Sequence, residues 1–270
     1  MQSAEAIDDR KTPSLPSVPR ALEILEHVAG SPSGLSLTQL TRALGIPRST
    51  LYCLLLTLER TGYLQRTSAR GRFQSGARLL ELSGKALAGS GMREIATPVL
   101  RNLMQRTRLT VHLAVLDRNQ ITIIGQVGPP GIRLMTTLGQ RMELHSTALG
   151  KAIAAWLDDG RLSEMMRERA LAPHNDHTIV SPRRLADELT ATRQRGYAID
   201  DEENTIGYRC LAAPVRDVPN MPAAALSVMG TTAQICEENA TQLGSELTLA
   251  AGRIRDLLAG SRESKKQNHS

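Results

Sequence analysis

Apolar positions in the first third of the chain recur with the period of a helix. Ala21, Ile24, Leu25 and Val28 fall at i, i+3, i+4 and i+7, one stripe of an amphipathic helix. Gly30 ends it, and Ser31-Pro32-Ser33-Gly34 reads as a loop. Ser36 and Gln39 have the spacing of a capping box, so a second helix starts there, with Leu37, Leu40 and Leu44 inward and Gly45 as its stop. Pro47 suits the first turn of a third helix. On that helix Leu51, Leu54, Leu55 and Leu58 share one side. Ser49, Cys53, Leu56 and Arg60 fall on the other, with Tyr52 beside them. Residues 63–66 and 72–75 then read as short strands joined by 67–71. Helix, helix, turn, helix, hairpin is the order of a winged helix-turn-helix over 18–76.

The pattern changes further on. A linker helix is expected over 77–91, closed by Gly89-Ser90-Gly91, and another helix over 92–107. Residues 111–116 and 121–124 read as strands around a turn, and further strands fit 132–137, 197–200, 209–216 and 223–230. Helices fit 147–157, 161–169, 182–195 and 232–259. The class is therefore α+β with a mostly antiparallel sheet, the second domain covering 92–260. Residues 1–17 read as a disordered lead-in and 261–270 as a flexible polar tail.

Composition adds where the charge sits. The 270 residues carry a formal net charge of +6, with 41% hydrophobic and only 2% aromatic residues, so the cores are aliphatic. From Leu40 to Leu79 there are seven arginines (Arg42, Arg48, Arg60, Arg66, Arg70, Arg72 and Arg78) and one acid, Glu59, which equals the net charge of the whole chain. A polyanion would be met by this one segment. Three cysteines far apart, Cys53, Cys210 and Cys236, make no zinc or disulfide pattern and suit a reducing cytoplasm. The N-terminus has no apolar signal region, and no run is long enough to span a membrane.

Five stretches, in order, carry a resemblance: RALEILEHVA, LGIPRSTLYCLLLTLERTGYL, HSTALGKAI, LADELTATRQRGYAIDDEENTIGYRCLAAPV and ALSVMG. With them the chain resembles the IclR family of bacterial transcriptional regulators from about Val18 to Leu258. The resemblance implies a winged helix-turn-helix, a linker helix and a GAF-like effector-binding domain. It also implies a homodimer or homotetramer that binds double-stranded operator DNA under control of a small effector, often an organic or aromatic acid.

Candidate DNA contacts follow from the third helix entering the major groove: Arg48, Ser49, Thr50 and Tyr52, with Arg48 suited to a guanine edge or a phosphate. Arg70 and Arg72 in the hairpin are expected to hold phosphate or probe the minor groove. Cys53 departs from the resembled pattern, in which an arginine is common. It offers either a small apolar contact, for example to a thymine methyl, or a redox-sensing thiol.

In the second domain, Ser146 or Thr147 is expected to cap a helix whose first-turn N–H groups suit a carboxylate, with Ala148 and Gly150 small enough for close approach. The resemblance implies effector contacts at Ala148 and Leu149, at Asp200, Cys210 and Ser227, and at Leu134. Met229 stands where a second serine is often found. An acid beside Asp200 requires one carboxyl to be protonated or a ligand hydroxyl to donate. Arg133 is a possible counter-charge, and Asp201, Glu202 and Glu203 read as a solvated acidic turn. No cofactor is expected. His174, Asp176 and His177 lack the spacing of a metal site. His145 and Ser146 are adjacent on a strand with no nucleophile elbow, so an enzyme with a GAF-like domain is the least favoured reading.

Overall fold

The computed structural model describes residues 15–67, 71–132, 134–168, 171–218 and 221–267. The chain divides into two compact units, Met1–Gly89 and Ser90–Ser270.

The first unit holds α1 (Ser17–Ala29), α2 (Leu37–Leu44), α3 (Arg48–Arg60), and the hairpin β1 (Leu64–Arg66) and β2 (Phe73–Ser75). α4 (Ala77–Ser90) follows. The capping box forms as its spacing predicts. The Gln39 N–H donates to Ser36 Oγ at 3.3 Å, and the Ser36 N–H donates back to Gln39 Oε1 at 3.0 Å. Gly45 takes φ 63° at the end of α2, a left-handed conformation that needs no Cβ, and the chain turns there into α3. Ile24, Leu40, Leu51 and Leu55 are fully buried, and Val28, Ile46, Leu58, Leu64 and Phe73 close the same core. Each such side chain contributes roughly 1.5–3 kcal/mol of burial, which fixes α3 by its leucine side and leaves its other side free. The expected lead-in over 1–17 lies outside the described residues up to residue 14.

The second unit holds α5 (Met92–Thr107), β3 (Thr110–Asp117), β4 (Gln120–Val127), β5 (Arg141–Met142), α6 (Ala148–Ala154), α7 (Asp159–Glu168), α8 (Pro182–Arg195), β6 (Ala198–Asp201), β7 (Tyr208–Val218), β8 (Met221–Thr231) and α9 (Glu237–Gln267). The strands form one antiparallel sheet in the order β5-β4-β3-β8-β7-β6. Alternation gives the sheet two faces. Val111, Leu113, Leu211, Ala213, Leu226 and Val228 pack against α5 and α9. Ala114, Ala198, Ala212 and Ala225 pack against α6, where small residues let the helix lie close.

Three expectations are corrected here. No strand forms over 132–137 among the described residues. β4 instead bonds the following turn, with Ile123 N–H to Gln140 O at 2.9 Å and Gly139 N–H to Ile123 O at 2.8 Å, and the two-residue β5 takes the sheet edge. The last helix starts at Glu237 rather than 232, because Thr231 and Gln234 close a turn first. It runs to Gln267, so the backbone of the expected tail is helical well past residue 260. Among the described residues no helix is long and apolar enough to cross a membrane.

Candidate functional site

α3 presents Arg48, Ser49, Tyr52, Cys53, Leu56, Thr57 and Arg60 to solvent, while Thr50 is half-buried. Cys53 is exposed, and its carbonyl accepts from Thr57 Oγ1 at 2.9 Å. The hairpin is tied to the back of this surface. Arg66 donates to Glu59 at 3.1 Å, lies 4.9 Å from the Phe73 ring centroid, and is pushed further up in pKa chiefly by the neighbouring Tyr52.

Arg72 has partners within the unit: its guanidinium donates to Ser33 O, Gly34 O and Gln39 Oε1 at 3.3–3.4 Å, which links the hairpin to the start of α2. Arg70 lies outside the described residues.

In the second unit the cap of α6 is Thr147. Its Oγ1 accepts from the Gly150 N–H at 3.0 Å and donates to Glu143 O at 2.8 Å. The N–H groups of Ala148 and Leu149 belong to the first turn, which has no intrahelical acceptors. Contrary to the expectation from its size, Gly150 does not open space for a ligand. A Cβ there would sit 2.4 Å from Leu144 Cα, so the glycine is needed where α6 crosses the backbone of 143–144.

Strand register brings several predicted residues onto the α6 side of the sheet. Asp200 stands opposite Cys210, Cys210 opposite Met229, and Met229 opposite Thr110. On the next rung Ser227 lies between Ala212 and His112. Leu134 sits over Gly128, within 2.5 Å of where a Cβ would be, and Thr136 Oγ1 donates to Gln126 at 2.9 Å. Leu134, Thr110, Met229, Cys210, Asp200, Ser227, Ala148 and Leu149 therefore surround one side of the sheet. Arg133 lies outside the described residues.

Asp200 is 4% exposed, and Oδ1 accepts from the Glu203 N–H at 2.9 Å and the Asn204 N–H at 3.4 Å. Burial pushes its carboxyl up to about 7 against the pull of Lys151. Burial, with the charge of Asp200, also raises the Cys210 thiol. Near neutral pH this carboxyl is therefore protonated in part.

The sequence reading missed two charged residues. Lys151, 1% exposed in the middle of α6, is ion-paired with Glu203 and lies 3.8 Å from Glu188. Glu203 is 4% exposed, which corrects the solvated acidic turn expected there. Thr178 Oγ1 donates to its carbonyl at 2.7 Å, and burial raises its carboxyl despite Lys151. The available signal was a lone lysine inside ALGKAIA, an otherwise apolar helix. The second missed feature is His112. It is 3% exposed with its Nε2 unpartnered, and burial alone lowers its pKa to about 4.

The other flagged residues are engaged elsewhere. His145 Nε2 is 3.1 Å from Ala172 O, and Ser146 Oγ accepts from Asn204 at 3.3 Å. His174 Nε2 meets Glu143 at 2.9 Å.

A winged helix with an outward polar recognition surface, joined to an α+β domain with a polar sheet face, defines the class of DNA-binding transcriptional regulators. The family description "Bacterial transcriptional regulator IclR C-terminal" matches residues 84–256, and "IclR helix-turn-helix domain" matches 17–68. The transcriptional repressor IclR of Escherichia coli K12 is 34% identical over 254 residues, 90% of this chain and 93% of that protein. The crystal structure of Thermotoga maritima IclR is 32% identical with a TM-score of 0.75, covering 90% of this chain and 98% of that one. An IclR homolog from Microbacterium hydrocarbonoxydans, crystallised with 4-hydroxybenzoate, shares the fold at 22% identity and a TM-score of 0.79, over 90% of this chain and 99% of that one. The chain belongs to the IclR family of bacterial transcriptional regulators. It is a DNA-binding regulator, not an enzyme.

Proposed function

We propose that this regulator represses transcription from an operator that α3 reads, and that a small carboxylic acid bound between α6 and the sheet changes its DNA affinity. One observation carries the effector reading: strand register groups Asp200, Cys210 and Ser227 on the face that α6 covers. The acid's carboxylate meets the first-turn N–H groups of Ala148 and Leu149, with Leu134 against its apolar part. The protonated form of Asp200 removes the repulsion that two carboxylates would have. Arg48, Ser49, Thr50, Tyr52 and Cys53 make the contacts to DNA, Arg48 to a guanine edge or a phosphate. α4 links the two units and transmits the change in a homodimer or homotetramer, since a ligand acts only by preferring one arrangement. Repression is suggested by the relative in Escherichia coli, which is named a repressor. The 4-hydroxybenzoate of the Microbacterium homolog supplies a first probe for the acid.

The test is a gel shift on the DNA upstream of the protein's own gene, titrated with salt and with small hydroxy-, oxo- and aromatic acids. Salt-sensitive binding that at least one acid weakens or strengthens supports the reading. Binding that no acid alters overturns the effector part alone.

A further inference from the structure

Four arginines converge where the edge strand of the second unit's sheet gives out. β6 pairs with β7 only at Arg209–Ala212, so Pro214 and Arg216 run on past the start of β6 with no strand beside them on that side. Pro214 has no N–H to offer another strand there. A cleft of about 340 Å³ lies at this end of the sheet, between the end of α8, β7, α9 and Trp156, which follows α6. That is within the size range of small-molecule sites. Its charged walls are Arg193, Arg195, Arg216 and Arg255, and no carboxylate is among its described lining residues. None of the residues assigned to the acid lines it.

The arginines are held from behind. Arg193 donates through Nε to the carbonyl of Ala155, the last residue of the α6 cap. Its four Nη protons remain, and it has no acid partner among the described residues. Arg195 donates through Nε to Tyr197 O at 2.6 Å and is ion-paired with Glu188. The Arg216 guanidinium lies 4.2 Å from the centroid of the Trp156 ring, a stacking that sets its plane. Arg255 is exposed on α9 and pairs with its neighbour Asp256. Guanidinium forks fixed at the Nε side or by stacking lose less freedom when they bind an anion. Apolar wall is supplied by Pro214 and Ala251.

We infer that this cleft binds the phosphate group of a small phosphorylated metabolite, at a site separate from the acid pocket. The donor set decides for phosphate over carboxylate. A carboxylate brings one charge and two oxygens to four arginines. A phosphate monoester brings roughly −1.5 to −2 charges at pH 7 and three terminal oxygens, which suits several forks at once. The carbon part of the ester then lies against Pro214 and Ala251. The inference does not depend on the acid reading.

Trp156 is the only tryptophan of the chain, so its emission reports on this cleft alone. The experiment titrates the full-length protein, at constant ionic strength, with inorganic phosphate, glycerol 3-phosphate and glucose 6-phosphate, and with glycerol and glucose as controls. Tryptophan fluorescence and calorimetry are read together on wild type, Arg193→Gln and Arg255→Gln. Saturable binding of inorganic phosphate, tighter binding of at least one ester and no response to the two controls are expected. Each substitution is expected to weaken phosphate binding roughly tenfold, because a charge-assisted contact is lost. Arg255→Gln alters an exposed side chain bonded only to its neighbour among the described residues, so its melting point is expected to match wild type. Three results overturn the inference. One is that neither phosphate nor ester binds, or that chloride at equal ionic strength acts as well. Another is phosphate binding that both variants keep in full. The third is a change in DNA affinity or in oligomeric state in the variants without added phosphate, which gives the arginines to DNA or to a second copy of the chain.

Discussion

Lys151 on α6 is ion-paired with Glu203 in the turn after β6, and both side chains are at most 5% exposed. The pair holds the middle of α6 to the segment that also positions Asp200, whose Oδ1 accepts the Glu203 N–H. A buried pair of this kind is sensitive to the loss of one partner. Lys151→Met and Glu203→Met are each expected to lower stability by about 3–5 kcal/mol. The apolar double variant Lys151→Met/Glu203→Met is expected to be less damaged than the sum of the singles. Urea denaturation of the four proteins checks this, and strictly additive losses would count against a coupled pair.

Asp200 and His112 make opposite contributions to the pH dependence of stability. The folded-state pKa of Asp200, about 7, lies above its ordinary value, so its contribution is full below about pH 4 and is lost as pH rises to 7. The folded-state pKa of His112, about 4, lies below its ordinary value of about 6.5. Its contribution is therefore full above pH 6.5 and is lost as pH falls toward 4. The two slopes offset one another between pH 4 and 6.5. Asp200→Asn is expected to uncover the histidine slope, a gain of about 3 kcal/mol from pH 4 to 6.5. His112→Leu is expected to uncover the aspartate slope, a loss on the order of 4 kcal/mol from pH 4 to 7. Denaturation midpoints across that range decide the matter, and two variants that both keep the wild-type profile contradict it.

Two glycines in helices should respond in opposite directions. At Gly150 a Cβ would meet backbone at 2.4 Å, so Gly150→Ala is expected to cost about 1–3 kcal/mol or more. At Gly252 in α9 a Cβ meets nothing within 4 Å, and Gly252→Ala is expected to stabilise by about 0.5–1 kcal/mol. Thermal melts of both variants test the close crossing of α6.

Arg48 and Arg72 separate DNA contact from support. Arg48→Ala is expected to weaken operator binding and to reduce the salt slope by about one. Arg72→Ala is expected to leave the slope unchanged and to lower stability by about 1 kcal/mol, because its bonds run to Ser33, Gly34 and Gln39. Equal salt slopes for Arg48→Ala and wild type would remove Arg48 from the interface. Cys53→Arg, placing a charge on the outward face of α3, is expected to tighten binding at low salt and steepen the slope. Anisotropy titrations of labelled DNA measure all three.

What the sequence by itself determined was local. The capping box of Ser36 and Gln39, the turn at Gly45, the leucine side of α3 and the hairpin all rest on interactions within a few residues, where spacing states the geometry. The grouping of Asp200, Cys210 and Ser227 was reached through the resemblance, and the register of three strands gives it a physical basis. Only the tertiary structure decided the rest. Lys151 and Glu203 are 52 residues apart, and the apolar helix around the lysine does not say which acid it will meet. His112 reads as one polar residue in a strand until the sheet and α6 enclose it. The expected strand at 132–137 failed because β4 found its backbone partners in the turn at 139–140, a competition that periodicity within the segment does not reveal. Burial and long-range pairing are properties of the assembled fold, and they turn a lysine and a glutamate far apart in the chain into a buried ion pair.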